Sequence, residues 1–267
     1  PLYIALDVGG TFVKIGVFDN DFLVEEKIVP ARSRMNFRES LKLFQGEINL
    51  ILEKYSRNYV LNGIGIAFAG LINVDEKRII STNEKYHDAP DVDLEKWVRT
   101  NWNTTFFIDN DTRMATVGEW QFGAGKGYDD IVMITLGTGI GTSAIVEGKP
   151  LRGKHNQAGC LGGHFTVNVN GNKCNCGNIG CAESHASSWS IVDRVLKDDL
   201  FNESILSSSN NIDFYEVFQG VQQQDVLAEN VMKECLDVWS SAIVNLIHAY
   251  DPEVVILGGG VLKSKDL

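Results

Sequence analysis

The sequence predicts an α/β protein of two lobes, and three observations lead there. One device occurs twice, as Leu6-Asp7-Val8-Gly9-Gly10-Thr11 and as Leu136-Gly137-Thr138-Gly139-Ile140-Gly141: an apolar run broken by glycines and followed by a second extended run. Apolar residues alternate with period two around these turns and recur every three or four residues elsewhere, so strands and amphipathic helices share the chain. The length of 267 residues suits one to two domains. The expected division is residues 1–110 and 111–267.

The elements follow in order. Tyr3-Ile4-Ala5-Leu6 reads as a short strand, and Val13, Ile15 and Val17 alternate as its return. Asp19-Asn20-Asp21 turns the chain, and Leu23 to Val29 extends again. Phe37, Leu41, Phe44, Ile48, Ile51, Leu52 and Tyr55 form a helical stripe, with Asn36 as the expected N-cap. Gly63 to Phe68 and Phe106 to Ile108 are two further strands, the second running into Asp109-Asn110-Asp111. Ile131 to Leu136 and Ser143 to Val146 flank the second glycine turn, with Glu147-Gly148-Lys149 turning next. Residues 149–183 are rich in Gly, Asn and Cys with little periodicity, and residues 203–211 read as an exposed loop. Val226 to Tyr250 is a long helix with Leu227, Val231, Cys235, Val238, Ala242, Leu246 and Tyr250 on one face, stopped by Asp251-Pro252. Val254 to Leu257 reads as a buried strand before Gly258-Gly259-Gly260. A further helix ordinarily packs after such a strand, so the chain is expected to continue past Leu267.

At 44% apolar and 22% charged residues, the composition is that of a globular protein and excludes collagen, a disordered tail or a disulfide mini-protein. Lys and Arg number 24 against 35 Asp and Glu, a net charge of −11. That balance argues against a nucleic-acid partner, whose phosphates demand clustered basic residues. It leaves room for small anions, which backbone N–H groups can bind. No apolar run reaches about 18 residues, so no membrane partner is expected, and no secretory signal opens the chain. The expected location is cytoplasmic.

Asp7-Val8-Gly9-Gly10-Thr11 fits a phosphate turn. Two glycines after a strand let N–H groups approach an anion with no Cβ in the way. Thr11 adds a hydroxyl, Lys14 a point charge, and Asp7 a carboxylate suited to Mg2+ or its water. A plain hairpin turn is the alternative. Gly137, Thr138, Gly139 and Gly141 form the second turn. Its G-x-G-x-G spacing invites a dinucleotide-fold reading, but a helix should then follow, and Thr142 to Val146 reads as strand. Two phosphate hairpins, one for each end of a triphosphate, make better sense. Asn110-Asp111 ends an apolar strand, where a carboxylate can take the proton of an attacking sugar hydroxyl. Asn-Asp is also common turn chemistry.

His164, Cys174, Cys176 and Cys181 make a Cys3His set that would close a tetrahedral Zn2+ site with no open position, hence structural. The alternatives are a Cys174–Cys176 or Cys176–Cys181 disulfide, or inert thiols. Three thiols within eight residues, without a secretory signal, point to metal or redox chemistry in a reducing compartment. Cys235 reads as a packing residue. Glu183, two residues after Cys181, would be fixed by the same metal.

Taken together, Asp7–Thr11, Ile64 to Gly70, Asn110-Asp111, Leu136 to Gly141, Ala158 to His164, Cys174-Asn175-Cys176-Gly177-Asn178-Ile179-Gly180-Cys181-Ala182-Glu183 and Asp251 to Val261 resemble the ROK family of sugar kinases and related repressors. The resemblance covers almost the whole chain. It implies an actin-like, ribonuclease-H-like ATPase fold with two lobes around a central cleft. It implies transfer of the ATP γ-phosphoryl group to a hexose, usually at the 6-hydroxyl, with ATP, Mg2+ and structural Zn2+. By that resemblance Asp111 is the general base. Gly70, Asn110, His164 and Glu183 join Asp111 in binding the sugar. Asp7, Gly9, Gly10, Thr11, Lys14, Gly137, Thr138, Gly139 and Gly141 hold phosphate, and Gly258, Gly259 and Gly260 lie near adenine. His164 would give one ring nitrogen to zinc and the other to the sugar. Members are often dimers, so a homodimer is compatible, although no exposed stripe demands one.

The chain departs from the family pattern in three places. The usual Glu-x-Gly-His after Ala-Gly becomes Ala158-Gly159-Cys160-Leu161-Gly162-Gly163-His164, one residue longer and without the Glu. In the family that Glu contacts the sugar near its 1- and 2-positions, so the substrate here can differ there, for instance by a substituent. The usual Asn-Asp-Ala-Asn becomes Asn110-Asp111-Thr112-Arg113, and the usual Pro before Gly70 is Ala69. The leading expectation is an ATP-dependent hexose kinase. A repressor would carry a helix-turn-helix domain ahead of Asp7, where six residues stand. A catalytically weak sugar sensor is the remaining class, motivated by the missing Glu.

Overall fold

The computed structural model describes residues 1–82 and 85–264. The chain divides into two units. The first is Pro1–Met114 with Lys154–Asn156; the second is Ala115–Gly153 with the chain from Gln157 onward.

In the first unit, β1 (Leu2–Val8) pairs antiparallel with β2 (Phe12–Asp19) across the Gly9–Thr11 turn, and β2 pairs with β3 (Phe22–Pro30). Leu2, Ile4, Leu6 and Val8 alternate into the core, the period-two pattern their sequence carries. Helix α1 (Phe37–Tyr55) buries Phe37, Leu41, Phe44, Ile48 and Ile51. Its N-cap is Asn36, but the Asn36 side chain makes no capping bond. Asp88 does that work, accepting the Phe37 N–H and, at 3.2 Å, the Arg38 N–H.

Strand β4 (Leu61–Phe68) lies parallel to β1. The hairpin β5 (Gly70–Asn73) and β6 (Arg78–Thr82) and helix α2 (Leu94–Trp102) follow; the periodicity reading gave neither. Strand β7 (Thr105–Asn110) lies parallel to β4, completing a sheet of order β3-β2-β1-β4-β7. The registers align Val8 with Phe68 and Phe68 with Asn110, so the carboxyl ends of three parallel strands share one edge. Ligands bind at that edge in open α/β sheets. Helix α3 (Asp111–Phe122) begins at the very next residue and leads into the second unit.

The second unit holds β8 (Ile131–Leu136), β9 (Ile140–Val146), β10 (Lys149–Pro150), α4 (Glu183–Ala186), α5 (Ser188–Lys197), α6 (Phe214–Gln222), α7 (Val226–Tyr250) and β11 (Val254–Gly258). Its sheet has order β10-β9-β8-β11. Leu136 pairs with Ile140 across the second glycine turn, so a strand follows that turn and the dinucleotide reading fails. Helix α7 has the predicted bounds. Its stripe runs one residue aside of expectation at the middle: Trp239, not Val238, is buried, donating its Nε1–H to the Ala186 carbonyl at 2.8 Å.

Two expectations are corrected. Residues 203–211 are not a plain exposed loop: short 3-10 turns span Phe201–Glu203 and Ile205–Ser208, and Ser204 and Leu206 are buried. Asp225, which caps α7 through the Ala228 N–H, also draws in the Ser204 hydroxyl at 2.9 Å. In β11 only Ile256 is buried, because the strand lies at the sheet edge beside β8.

Candidate active site and metal centre

In the first unit the sheet edge gathers Gly70, Asn110 and Asp111. Asn110 closes β7 and is buried. Its Oδ1 accepts the Arg113 N–H at 3.0 Å, and its Nδ2 donates to the Gly70 carbonyl at 3.1 Å and to Asp111 Oδ1 at 3.0 Å. The Thr112 N–H donates to the same Asp111 oxygen at 2.8 Å. Burial raises the Asp111 carboxyl above its ordinary value against the pull of the Thr112 N–H, and the charge of Asp7 adds to the rise. A carboxylate held in one orientation with a raised proton affinity is suited to general base work.

The first glycine turn has its carbonyls tied back. Tyr86 and Ser33 hydroxyls donate to the Gly9 and Gly10 carbonyls, and the Ala31 N–H to that of Thr11. Carbonyl oxygens repel phosphate, and with all three engaged within the protein the turn is suited to an anion. Thr11 is exposed, and Lys14 pairs with Asp7 at 3.4 Å.

The second turn repeats the arrangement. The Ser188 N–H and hydroxyl donate to the Gly137 carbonyl at 3.0 and 2.9 Å, the Trp189 N–H to that of Thr138 at 3.4 Å, and the Gly137 N–H to that of Gly139 at 3.1 Å. Gly141 lies in β9, its carbonyl accepting the Thr135 hydroxyl at 3.4 Å. Gly258 pairs with Thr135, which places Gly258–Gly260 one strand away from this turn. Glu183 is buried, and its Oε2 accepts the Ile140 N–H at 2.9 Å. A side-chain carbon on Gly139 would lie 2.6 Å from that oxygen, so glycine is what lets the carboxylate approach.

The ligand atoms of His164, Cys174, Cys176 and Cys181 all lie within 4.8 Å of one another. Cys174 Sγ is 3.5 Å from His164 Nδ1, and Cys176 Sγ is 3.6 Å from Cys181 Sγ. Tetrahedral zinc with Zn–S near 2.3 Å spaces its ligands about 3.5–3.8 Å apart, so the set fits. None of these cysteines is joined in a disulfide. Burial pushes the Cys174 thiol up to about 12, a cost that a divalent cation offsets. Cys235 is buried in the core, as expected of a packing residue.

Three residues near these sites escaped the motif reading. Arg113, recognised only as a departure, is fully buried and bonds Asp109 at 2.6 Å. It also donates to the Asn156 carbonyl at 3.3 Å. Lys85 and Tyr86 lie against the first glycine turn, and no local pattern marks them. Neither Cys160 nor Leu161, both half-buried, restores the carboxylate missing from the family pattern; the Cys160 thiol points to the Gln157 carbonyl at 3.3 Å.

These features define an α/β protein of the actin-like ATPase fold with two glycine turns and a Cys3His cluster. The sequence model described as "ROK family" matches residues 3–267, and the chain belongs to that family. It is 30% identical to the glucokinase of Thermotoga maritima, over 99% of this chain and 83% of that enzyme. It is 29% identical to the xylose repressor of Bacillus subtilis over 77% of this chain, spanning half of that repressor's length. A Streptomyces griseus ROK glucokinase solved with glucose and AMPPNP superposes with a TM-score of 0.77 at 26% identity, covering 98% of this chain and 84% of the enzyme. Among the described residues no helix is long and apolar enough to cross a membrane.

Proposed function

We propose that this chain is an ATP-dependent sugar kinase that phosphorylates a hexose or hexose derivative at its 6-hydroxyl. The observation that carries the reading is Asp111: a carboxylate at the ligand-binding edge of the sheet, oriented by Asn110 and the Thr112 N–H, with burial raising its proton affinity. Asp111 accepts the hydroxyl proton as the sugar oxygen forms its bond to the γ-phosphorus; the bond from that phosphorus to the β-phosphate oxygen breaks, and ADP leaves. The two glycine turns, with carbonyls held away, receive the phosphates, and Gly258–Gly260 lies toward adenine. Asp7 is suited to hold Mg2+ or its water, which supplies charge neutralisation on the phosphates.

Gly70, Asn110, His164 and Glu183 are assigned to the sugar. Among the described residues Glu183 Oε1 receives a single hydrogen bond, at 3.4 Å from Trp189 Nε1, so it retains capacity to accept a hydroxyl. His164 turns Nδ1 toward Cys174, which leaves Nε2 for a hydroxyl. His164, Cys174, Cys176 and Cys181 would hold zinc, which would supply a rigid cross-link.

The test is ADP release with Mg-ATP against glucose, mannose, fructose, allose, N-acetylhexosamines and β-glucosides. Sugar-dependent release supports the kinase. The second reading, a sugar-binding sensor of low turnover, is favoured by one feature: Cys160 and Leu161 stand where the family has Glu. It predicts sugar binding without ADP release.

A further inference from the structure

We propose that Lys85 is a phosphate-holding residue of the first glycine turn, its ammonium lying across Gly10 to meet an oxygen of the phosphoryl group being transferred. This rests on the kinase reading and adds a residue from outside every recognised motif.

The first ground is geometric. A side-chain carbon on Gly10 would collide with Lys85 Nζ and lie 2.7 and 2.9 Å from its Cε and Cδ. The end of the lysine is therefore laid over the turn itself, in the space a side chain at Gly10 would take. The second ground is charge. Lys14, the cation within the motif, is 57% exposed and already pairs with the Asp7 carboxylate. Lys85 is half-buried, and among the described residues no carboxylate pairs with it. An ammonium partly withdrawn from water without a counter-ion is costly until an anion arrives.

The third ground is how Lys85 is aimed. Its neighbour Tyr86 has φ +52°, a left-handed backbone that is an outlier for a bulky side chain. The surroundings hold it there. The ring is buried, 5.1 Å from the Phe37 ring and 5.7 Å from that of Phe68, centroid to centroid. The Tyr86 N–H donates to the Ser33 carbonyl at 3.0 Å, and the hydroxyl is shared between the carbonyls of Ala31 at 2.9 Å and Gly9 at 3.2 Å. Ser33 in turn binds the Gly10 carbonyl. One set of contacts thus fixes both the turn and the chain direction that brings Lys85 to it. Strain held in this way by packing is found where a side chain must be positioned for function. A fixed cation at the transferring group acts where negative charge spreads over its oxygens.

The test compares wild type, Lys85→Gln, Lys85→Arg and the exposed-lysine control Lys126→Gln, as complete proteins. Lys85→Gln is expected to lower kcat on the order of 10²-fold, with sugar KM and melting midpoint unchanged. Lys85→Arg, which keeps the charge, is expected to recover to within about tenfold of wild type. Acetylation of lysines by an N-hydroxysuccinimide ester, read by mass spectrometry, is expected to be slowed by Mg-ATP at Lys85 and not at Lys126. Full kcat in Lys85→Gln overturns the proposal, with or without shielding. Loss of kcat without shielding also overturns it, since the residue would then act only through structure. If wild type releases no ADP with any sugar, the kinase reading fails, and shielding by Mg-ATP alone decides whether Lys85 holds phosphate.

Discussion

The carboxylate of Glu183 accepts the backbone N–H of Ile140 at 2.9 Å. That one bond joins the end of the cysteine-rich segment to the far side of the second glycine turn, two motifs 43 residues apart in sequence. A residue assigned to the sugar is therefore seated on a turn assigned to phosphate, with the metal cluster two residues away at Cys181.

Gly139→Ala tests that link. The added carbon would lie 2.6 Å from Glu183 Oε2, so the carboxylate must shift and its bond to the Ile140 N–H is weakened. A hydrogen bond to a charged group contributes at most about 1.5–3 kcal/mol, so with Glu183 less firmly oriented sugar affinity should fall, by up to about a hundredfold. Zinc content should remain complete. Equilibrium sugar binding and metal analysis check both, and unchanged affinity would contradict the assignment of Glu183.

Asp111→Asn should lower turnover by about 10²–10⁴-fold while sugar binding largely survives, because it removes only the base. In wild type, kcat should decline on acidification at a pH above the ordinary aspartate value of about 3.9. Stability gives an independent check. The folded carboxyl has a raised pKa, so its protonated form stabilises the fold below the unfolded value, and that contribution is lost as pH rises through the folded value. At neutral pH the ionised group is therefore a net cost, and Asp111→Asn should raise the melting midpoint there but not in acid. A lowered neutral midpoint would contradict the burial argument.

Cys176→Ser should release zinc and weaken sugar binding through His164 and Glu183. Cys176 is the exposed member of the set, so a strong chelator should reach the same state in the wild type. Metal content by mass spectrometry and sugar affinity are the measurements. Full metal and unchanged affinity in the variant would show that the four residues do not form a scaffold.

Arg113→Met takes the Arg113 guanidinium away from the buried Asp109 carboxylate. Removing one partner of a buried pair costs about 3–5 kcal/mol, read as a large drop in melting midpoint. Asp109→Asn combined with Arg113→Met should recover part of that loss. Equal midpoints for the two variants would mean that the pair is not what holds the site.

Much of this was legible from local pattern. The glycine turns, the strands beside them, the bounds of α7 and the Cys174–Cys181 cluster are each written within a few consecutive residues. What stayed hidden depends on distant partners. Asn36 has the chemistry of a cap, yet the acceptor that serves α1 is Asp88. Leu257 is as apolar as Ile256, but its strand lies at an edge. Lys85 sits in a polar stretch whose importance arises only when Tyr86 folds back onto Gly9.

The capping of α1 by Asp88 also bears on how the first unit comes into being. Fifty-one residues separate Phe37 from the carboxylate that closes its end of the helix. On the ribosome, α1 emerges with its apolar stripe complete and its first-turn N–H groups open to water. They stay so until β4, β5 and β6 have been made and the chain has returned. The start of α1 is thus among the last parts of its neighbourhood to become secure during synthesis, and a nascent chain stalled before residue 88 would present a frayed helix end to chaperones and proteases.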